Sequence, residues 1–307
     1  MKISLVIILV NYNGFDDTKA CLESISKTGG KSPYVVLVDN ASKEEKDLRF
    51  LKTVYPELKI IYNKENIGFG RANNVGIKWA RNNIDFHYLL LLNSDTLIEP
   101  KSLFYLKEAF RLHPRIGIAT SRIMYEAKRN IVWYGGGDIN YKRGWPKISD
   151  FNKKPTERGA NKSRYVTFAS GCVMMFSKES IKYLEGFDDE FFMYCEDLEI
   201  CMRTQKRGFK IYYEANSVIY HKVQGSFGEE NRQTGMKAEN PNLDFLFYNM
   251  KSNQWIAMRK SLQGMSFLRF NIYYWSKFFY QNLKFLIQGH YAIFKTSLKI
   301  FNRIISY

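Results

Sequence analysis

What most constrains the fold of this chain is an alternation near its N-terminus. Residues 3–10, 34–39, 58–62 and 88–93 are short runs rich in β-branched residues and leucine, which read as strands buried on both faces. Amphipathic stretches at 17–27, 44–55 and 71–83 lie between them and read as helices. Strand and helix in turn specify an α/β fold with a mostly parallel, doubly wound central sheet, whose ligands bind at the carboxyl ends of the strands. Those ends carry Asn11, Asp39, and Asn93 with Asp95. A helix is expected over 101–113, then loop at 134–138 and 142–164. A strand around 165–176, a turn at 185–188, a helix from Cys195 to Gly208 and a strand over 210–220 ending in His221 follow. From Pro241 onward the apolar spacing is helical.

With 45% hydrophobic and 25% charged residues over 307 positions, the chain can bury a large core, which excludes disorder and fibrous or disulfide scaffolds. The net charge of +16 is unevenly placed: from Phe245 to Tyr307 there is no Asp or Glu, against nine Lys and Arg. That shift marks a boundary, with a body over 1–240 and a basic, aromatic helical region over 241–307. Thirteen of the 41 residues from Phe267 onward are Phe, Tyr or Trp, a density that suits helices lying on an anionic membrane surface. Packing on the body, or against a second copy of the chain as a homodimer, would account for the aromatics but not for the missing acids. No apolar run reaches the roughly 18 residues needed to span a bilayer, and Met1–Val10 has no cleavage site of a secretory signal after it. Four cysteines form no CxxC pair, so a reducing, cytoplasmic location is expected, peripheral on the inner membrane face. A nucleic-acid-binding protein would also be basic, but no binding motif is found and no nucleic-acid partner is expected.

Strand 1 runs into Asn11-Tyr12-Asn13-Gly14, and strand 2 into Asp39-Asn40-Ala41-Ser42. A carboxylate beside an aromatic ring suits a nucleotide base, and it equally suits a helix cap. In residues 66–76 the glycines let backbone approach a ligand, and Arg71 at a helix start can face a diphosphate. Gly68-x-Gly70 is followed by Asn73 where a dinucleotide fingerprint needs glycine, which argues against a nicotinamide dehydrogenase. Asp95 ends a hydrophobic strand, a placement that suits a hard divalent cation. Glu196 and Asp197 open a helix, where acids also serve simply to complement the dipole.

In order, VNYNG (10–14), VDNAS (38–42), NIGFGRANNVG (66–76), LLNSDT (91–96), ASGCVMMFSKE (169–179), GFDDEFFMYCEDLEICMRTQKRGF (186–209) and VIYH (218–221) form a recognisable set. Over about residues 1–225 the chain resembles bacterial family 2 glycosyltransferases of the GT-A (Rossmann-like) fold, above all their rhamnosyltransferase-like branch. The resemblance implies inverting transfer from a nucleoside-diphosphate sugar, dTDP-rhamnose or a UDP-sugar, assisted by Mg²⁺ or Mn²⁺. The acceptor would be a hydroxyl of a glycan or lipid-linked acceptor in surface polysaccharide synthesis. Asn11, Tyr12 and Asp39 are then placed in the base pocket, and Arg71 and Asn74 near diphosphate and ribose. Asn93-Ser94-Asp95 stands where the family has its DxD, with Asp95 a metal ligand and His221 completing the shell. Asp197 is implied as the catalytic base, with Glu196 beside it raising its pKa and the helix N-terminus lowering it. Asn93 in place of the first acid leaves the metal one anionic ligand fewer, so an inactive transferase-like scaffold is the alternative reading.

Overall fold

The computed structural model describes residues 3–43, 46–223 and 240–307. Its first half is the anticipated alternation: β1 (Ile3–Asn11), α1 (Phe15–Ser26), β2 (Tyr34–Asp39), β3 (Lys59–Tyr62), α2 (Phe69–Asn83) and β4 (Phe86–Asn93). β1 pairs in parallel with β2 on one side and β4 on the other, and β2 with β3. Because the chain leaves β1 in one direction and returns on the opposite side, a crevice opens beyond the carboxyl ends of β1 and β4. Val6–Leu9 and Leu89–Leu92 are almost wholly inaccessible, as continuous hydrophobic runs between two helical layers should be.

The second half comprises β5 (Thr96–Ile98), α3 (Ser102–Leu112), β6 (Ile116–Tyr125), β7 (Val132–Tyr134), β8 (Gly137–Asn140), β9 (Trp145–Ile148), β10 (Arg164–Val166) and β11 (Val173–Ser177). α4 (Lys178–Leu184), α5 (Glu196–Lys206) and β12 (Lys210–His221) complete the body. The main sheet runs β10-β12-β6-β11-β4-β1-β2-β3, with β11 antiparallel to both neighbours and β12 parallel to β6. Pairing of β5 with β12 sets His221 opposite Thr96, one residue beyond Asp95.

Three local expectations need correction. Among its described residues the stretch at 44–55 yields only a 3₁₀ turn, Leu48–Thr53, because only Leu48, Leu51 and Tyr55 are buried within it and Pro56 ends it. The expected strand at 165–176 is two: β10 pairs with β12 and β11 with β4 and β6, so residues 167–172 must cross between separate places in the sheet. Part of the expected 142–164 loop is ordered as the β8–β9 hairpin. Its strands are four residues each, and one buried Ile139 between Asp138 and Asn140 is too short an alternation to read.

After the body come α6 (Leu243–Ser261), α7 (Gly264–Ile287) and α8 (Ala292–Ile305). Packing on the body, one of the alternatives for this region, accounts for one face of these helices. Phe270, Tyr274, Phe278 and Phe285 of α7 and Ile293, Ile300 and Ile304 of α8 are buried. Phe270 closes over the turn of the β8–β9 hairpin, where a Cβ at Gly144 (φ +61°) would lie 2.4 Å from its ring. The other face leaves Ile272, Phe279, Tyr280, Ile287, Tyr291 and Ile305 exposed. No helix among the described residues is long and apolar enough to cross a membrane.

α2 approaches the segment before α5 so closely that Gly68 is required there. Its φ is +86°, and a Cβ would lie 2.2 Å from the Phe192 carbonyl oxygen, which accepts from Phe69 N–H at 3.0 Å. Gly68→Ala should therefore destabilise the protein by about 2 kcal/mol or more, read as a melting temperature lower by about 4 °C or more. Gly29→Ala, with open space around its Cβ, should leave the melting temperature unchanged.

Candidate active site

The crevice holds a cavity of about 790 Å³ whose lining includes Tyr12, Asn93, Asp95, Ser170, Gly171, Tyr194, Glu196, Asp197 and His221. On its β1–β2 side, Asn11 is wholly buried. Its Nδ2 donates to Asp39 Oδ1 at 3.0 Å and to Ser42 Oγ at 2.9 Å, and its Oδ1 accepts from Thr18 Oγ1 and Gly14 N–H. Asp39 also accepts from Ser42 Oγ and N–H. Asn11 and Asp39 thus tie two strand ends together behind the cavity, while Tyr12, Asn40 and Asn66 face it.

On the β4 side, Asp95 Oδ1 stands 3.0 Å from His221 Nε2, both largely buried. The edge of Trp133 packs on the imidazole, with ring centroids 4.7 Å apart. Burial disfavours the imidazolium, but the adjoining Cys172 thiol and Asp95 carboxylate outweigh it and lift His221 to about 10. Asn93 Oδ1 and His221 Nδ1 are buried and have no hydrogen-bond partner. Asn93 Oδ1 offers a lone pair beside the Asp95 carboxylate, and His221 Nδ1 offers one once an arriving cation displaces its proton, so the group fits a cation. No group of three or more His, Cys, Asp and Glu is arranged to hold a metal among the described residues.

On the third side, Glu196 and Asp197 open α5. Asp197 Oδ2 accepts from Gly171 N–H at 3.2 Å and Oδ1 from Leu198 N–H at 2.8 Å, whereas Glu196 Oε2 has no partner. Burial raises both carboxyls; the Asp197 charge raises Glu196 further, and the backbone N–H groups pull Asp197 back. Asp197 is therefore the acid that ionises first, and Glu196 the one that keeps its proton. The opposition between neighbouring charge and helix N-terminus, open from sequence, resolves with desolvation as the largest effect.

The approach to this pair is strained. Tyr194 and Cys195 both hold left-handed backbone, φ 69° and 67°, a conformation that persists only when its surroundings enforce it. Asn253 of α6, wholly buried, donates from Nδ2 to Met193 O at 2.9 Å and Tyr194 O at 3.0 Å. Arg303 of α8 donates to Asn253 Oδ1 at 2.9 Å and pairs with Glu190 at 2.9 Å, and Lys260 pairs with Asp188. From the other side, Asn74 Nδ2 donates to Phe187 O and Asp189 Oδ1, and Arg71 Nε to Asp189 O at 2.7 Å. Arg71 and Asn74 are therefore not brought to the cavity; they clasp the 186–195 segment from outside it. Asn253 and Arg303 escaped the sequence reading because an Asn in an apolar helix and one Arg among nine cations carry no signal of their own.

A sheet with its cavity beyond the strand crossover, an acid and a histidine on one wall and a second acid pair on another define a glycosyltransferase of the GT-A architecture. The profile described as Glycosyl transferase family 2 matches residues 6–184, and the chain belongs to that family. A profile for the N-terminal domain of galactosyltransferase matches residues 157–222. Rhamnosyltransferase WbbL of Escherichia coli (strain K12) is 24% identical over 279 residues, covering 86% of this chain and 96% of that protein. The N-acetylglucosaminyl-diphospho-decaprenol L-rhamnosyltransferase of Mycobacterium tuberculosis is 24% identical over 243 residues, 72% of this chain and 77% of its own. The crystal structure of GalNAc-T7 with UDP, GalNAc and Mn²⁺ shares the fold, with a TM-score of 0.63 at 14% identity. It covers 84% of this chain, which spans about half (48%) of that one.

Asn253→Ala would remove three hydrogen bonds worth about 1 kcal/mol each, two to the Met193–Tyr194 backbone and one from Arg303, and free the Tyr194–Cys195 backbone. Turnover should fall on the order of tenfold while nucleotide affinity, measured by calorimetry, stays as in the parent protein.

Proposed function

We propose that this protein transfers a sugar, with inversion, from a nucleoside-diphosphate sugar to a hydroxyl of a glycan or lipid-linked acceptor in bacterial surface polysaccharide synthesis. The observation that carries the reading is the unequal acid pair, with Asp197 fastened by the Gly171 and Leu198 N–H groups and Glu196 Oε2 left without a partner beside it. Asp197 accepts the acceptor hydroxyl's proton as that oxygen bonds to the anomeric carbon. The bond from that carbon to the diphosphate oxygen breaks on the opposite face, and the nucleoside diphosphate leaves. Glu196, keeping its own proton, leaves a single negative charge beside the acceptor. Tyr12 offers its ring to the base, over the Asn11–Asp39 tie. Arg71 and Asn74 act by holding the 186–195 segment rather than by touching the donor.

Asp95 and His221 would hold a divalent cation, Mg²⁺ or Mn²⁺, with Asn93 Oδ1 free to accept from its water. When bound, the cation supplies counter-charge to the departing diphosphate, and an imidazole ligand favours Mn²⁺. The donor's own oxygens would complete a shell that the described residues leave short. dTDP-rhamnose is the donor of choice, since both relatives compared are rhamnosyltransferases by name; a UDP-sugar is the second. In this reading residues 1–240 carry out transfer, and 241–307 hold the enzyme on the anionic cytoplasmic face of the membrane, where a lipid-linked acceptor lies. Exposed Ile272, Phe279, Ile287 and Tyr291, with Lys277 and Lys284 on the same helix as the first three, support that attachment.

Purified protein with Mn²⁺ should hydrolyse one of the dTDP-, UDP- or GDP-sugars slowly. Asp197→Asn should lose roughly 10²–10⁴ in rate with nucleotide binding intact, and Asp95→Ala should lose the Mn²⁺-dependent part of nucleoside-diphosphate affinity. Because Asp197 acts ionised and burial raises its pKa, the parent's rate should fall, as pH drops, above the ordinary carboxylate range near pH 4. Nucleotide binding with no turnover of any donor would make the protein an inactive transferase-like scaffold.

For the membrane, the full chain should sediment with anionic liposomes at low salt and leave them as salt rises. A variant with the exposed Ile272, Phe279 and Ile287 all changed to Ser should stay in solution. Failure of the full chain to sediment, with a dimeric mass in solution, would assign the exposed face to a second copy.

A further inference from the structure

β12 presents alternate residues to opposite sides. His221 and Ile219 face inward, while Tyr220 and Val218, in register with Met124 and Arg122 of β6, face a second cavity of about 880 Å³. Its charge is the reverse of that of the first. Among the described residues the catalytic cavity is lined by Asp17, Asp95, Glu196 and Asp197, with His221 and with no Lys or Arg. The second is lined by Lys101, Arg122, Arg129 and Lys154, with Glu99 the one acid among the described residues.

These four cations come from separate segments: the turn before α3, β6, the turn before β7, and the connection from β9 to β10. Their convergence is tertiary, unlike a solvated stripe along one helix. Little in the protein neutralises them. Among the described residues Lys101 and Lys154 have no ion pair, and Arg129 reaches Glu126 only at 3.7 Å. Arg122 donates to Asn161 Oδ1, yet its Nε is buried without a partner, an arrangement that costs free energy until an acceptor arrives. Between the cations lie Tyr105 and Tyr220, with the Arg129 guanidinium 4.4 Å over the Tyr220 ring, and the amides of Asn130 and Asn216. Cations for an acidic group, amides for hydroxyls and ring faces for a pyranose together select one class of ligand.

We propose that this cavity binds an anionic saccharide, a sugar bearing phosphate or carboxylate, at a site separate from the transfer chemistry. The full chain is titrated in EDTA with glucose 1-phosphate and, separately, with trigalacturonate; the acid-lined catalytic cavity repels both without a metal. One or both should bind, and Lys101→Gln combined with Lys154→Gln should weaken binding on the order of tenfold, about 1.4 kcal/mol. Both lysines are exposed, so the fold should be kept, and an unchanged melting temperature checks it. Lys284→Gln with Lys295→Gln, which removes the same charge from α7 and α8, should leave affinity within about twofold, since neither lysine lines the cavity. Binding of glucose 1-phosphate alone would assign the site to a small phosphorylated sugar, and binding of trigalacturonate alone to an acidic glycan chain. No binding of either up to about 10 mM, or equal weakening in both double variants, would overturn the proposal.

Discussion

Two adjacent carboxyls, Glu196 buried and Asp197 half-buried at the cavity wall, are costly to hold side by side, and much of the second half of the fold serves to hold them there. An isolated buried carboxylate would simply take up a proton. Here Asp197 is given N–H donors from Gly171 and Leu198 while Glu196 Oε2 has no partner, so the pair is driven toward one ionised and one neutral member. That division depends on the placement of Gly171 and of the first turn of α5, and these depend on a left-handed step at Tyr194 and Cys195. Such backbone is maintained only by over-determination. Gly68 and Asn74 supply it from α2, and Asn253, Lys260 and Arg303 from the C-terminal helices.

The same dependence explains where charge sits. A chain of net charge +16 nevertheless lines its catalytic cavity with acids, and its nearby cation Lys222 is held by Asp17 at 2.5 Å. A negatively charged ligand entering that cavity needs counter-charge brought with it, and the unpartnered Asn93 Oδ1 and His221 Nδ1 stand beside the Asp95 carboxylate. Cations of the chain are instead displaced to the reverse face of β12 and to α6–α8.

Legibility in the sequence followed burial. β1, β2 and β4 were readable because strands covered on both faces must be continuously apolar, and Asn11, Asp39 and Asp95 stood out as the polar residues ending them. The β8–β9 hairpin left no such trace, since β9 is four residues long, exposes Trp145 as well as Lys147, and only half-buries Pro146 and Ile148. The 165–176 run was apolar throughout, which hid its division into β10 and β11; only pairing partners distinguish them. Residues 66–76 show a subtler limit. Their glycines do permit close approach, as the sequence suggested, but what approaches at Gly68 and Gly70 is the protein's own 187–192 segment. Composition cannot distinguish a backbone that makes room for a ligand from one that makes room for itself.

The C-terminal region turns on a similar ambiguity, and the structure separates two causes that composition had merged. Aromatic density arises partly from packing, because Phe247, Phe270, Tyr274, Phe278 and Phe285 form a stacked core between α6 and α7. The absence of acids has a different origin. Arg303 and Lys260 already find their carboxylates on the 186–195 segment, so an acid on α8 beside them would compete with Glu190 and Asp188 and loosen the clasp on the catalytic pair. Lys277, Lys284, Lys295 and Lys299 have no such partner among the described residues, and they flank the apolar face that packing leaves open. Internal pairing thus accounts for two of the nine cations by ion pairs with the body, and the four lysines beside the exposed face are the ones that an anionic surface would engage.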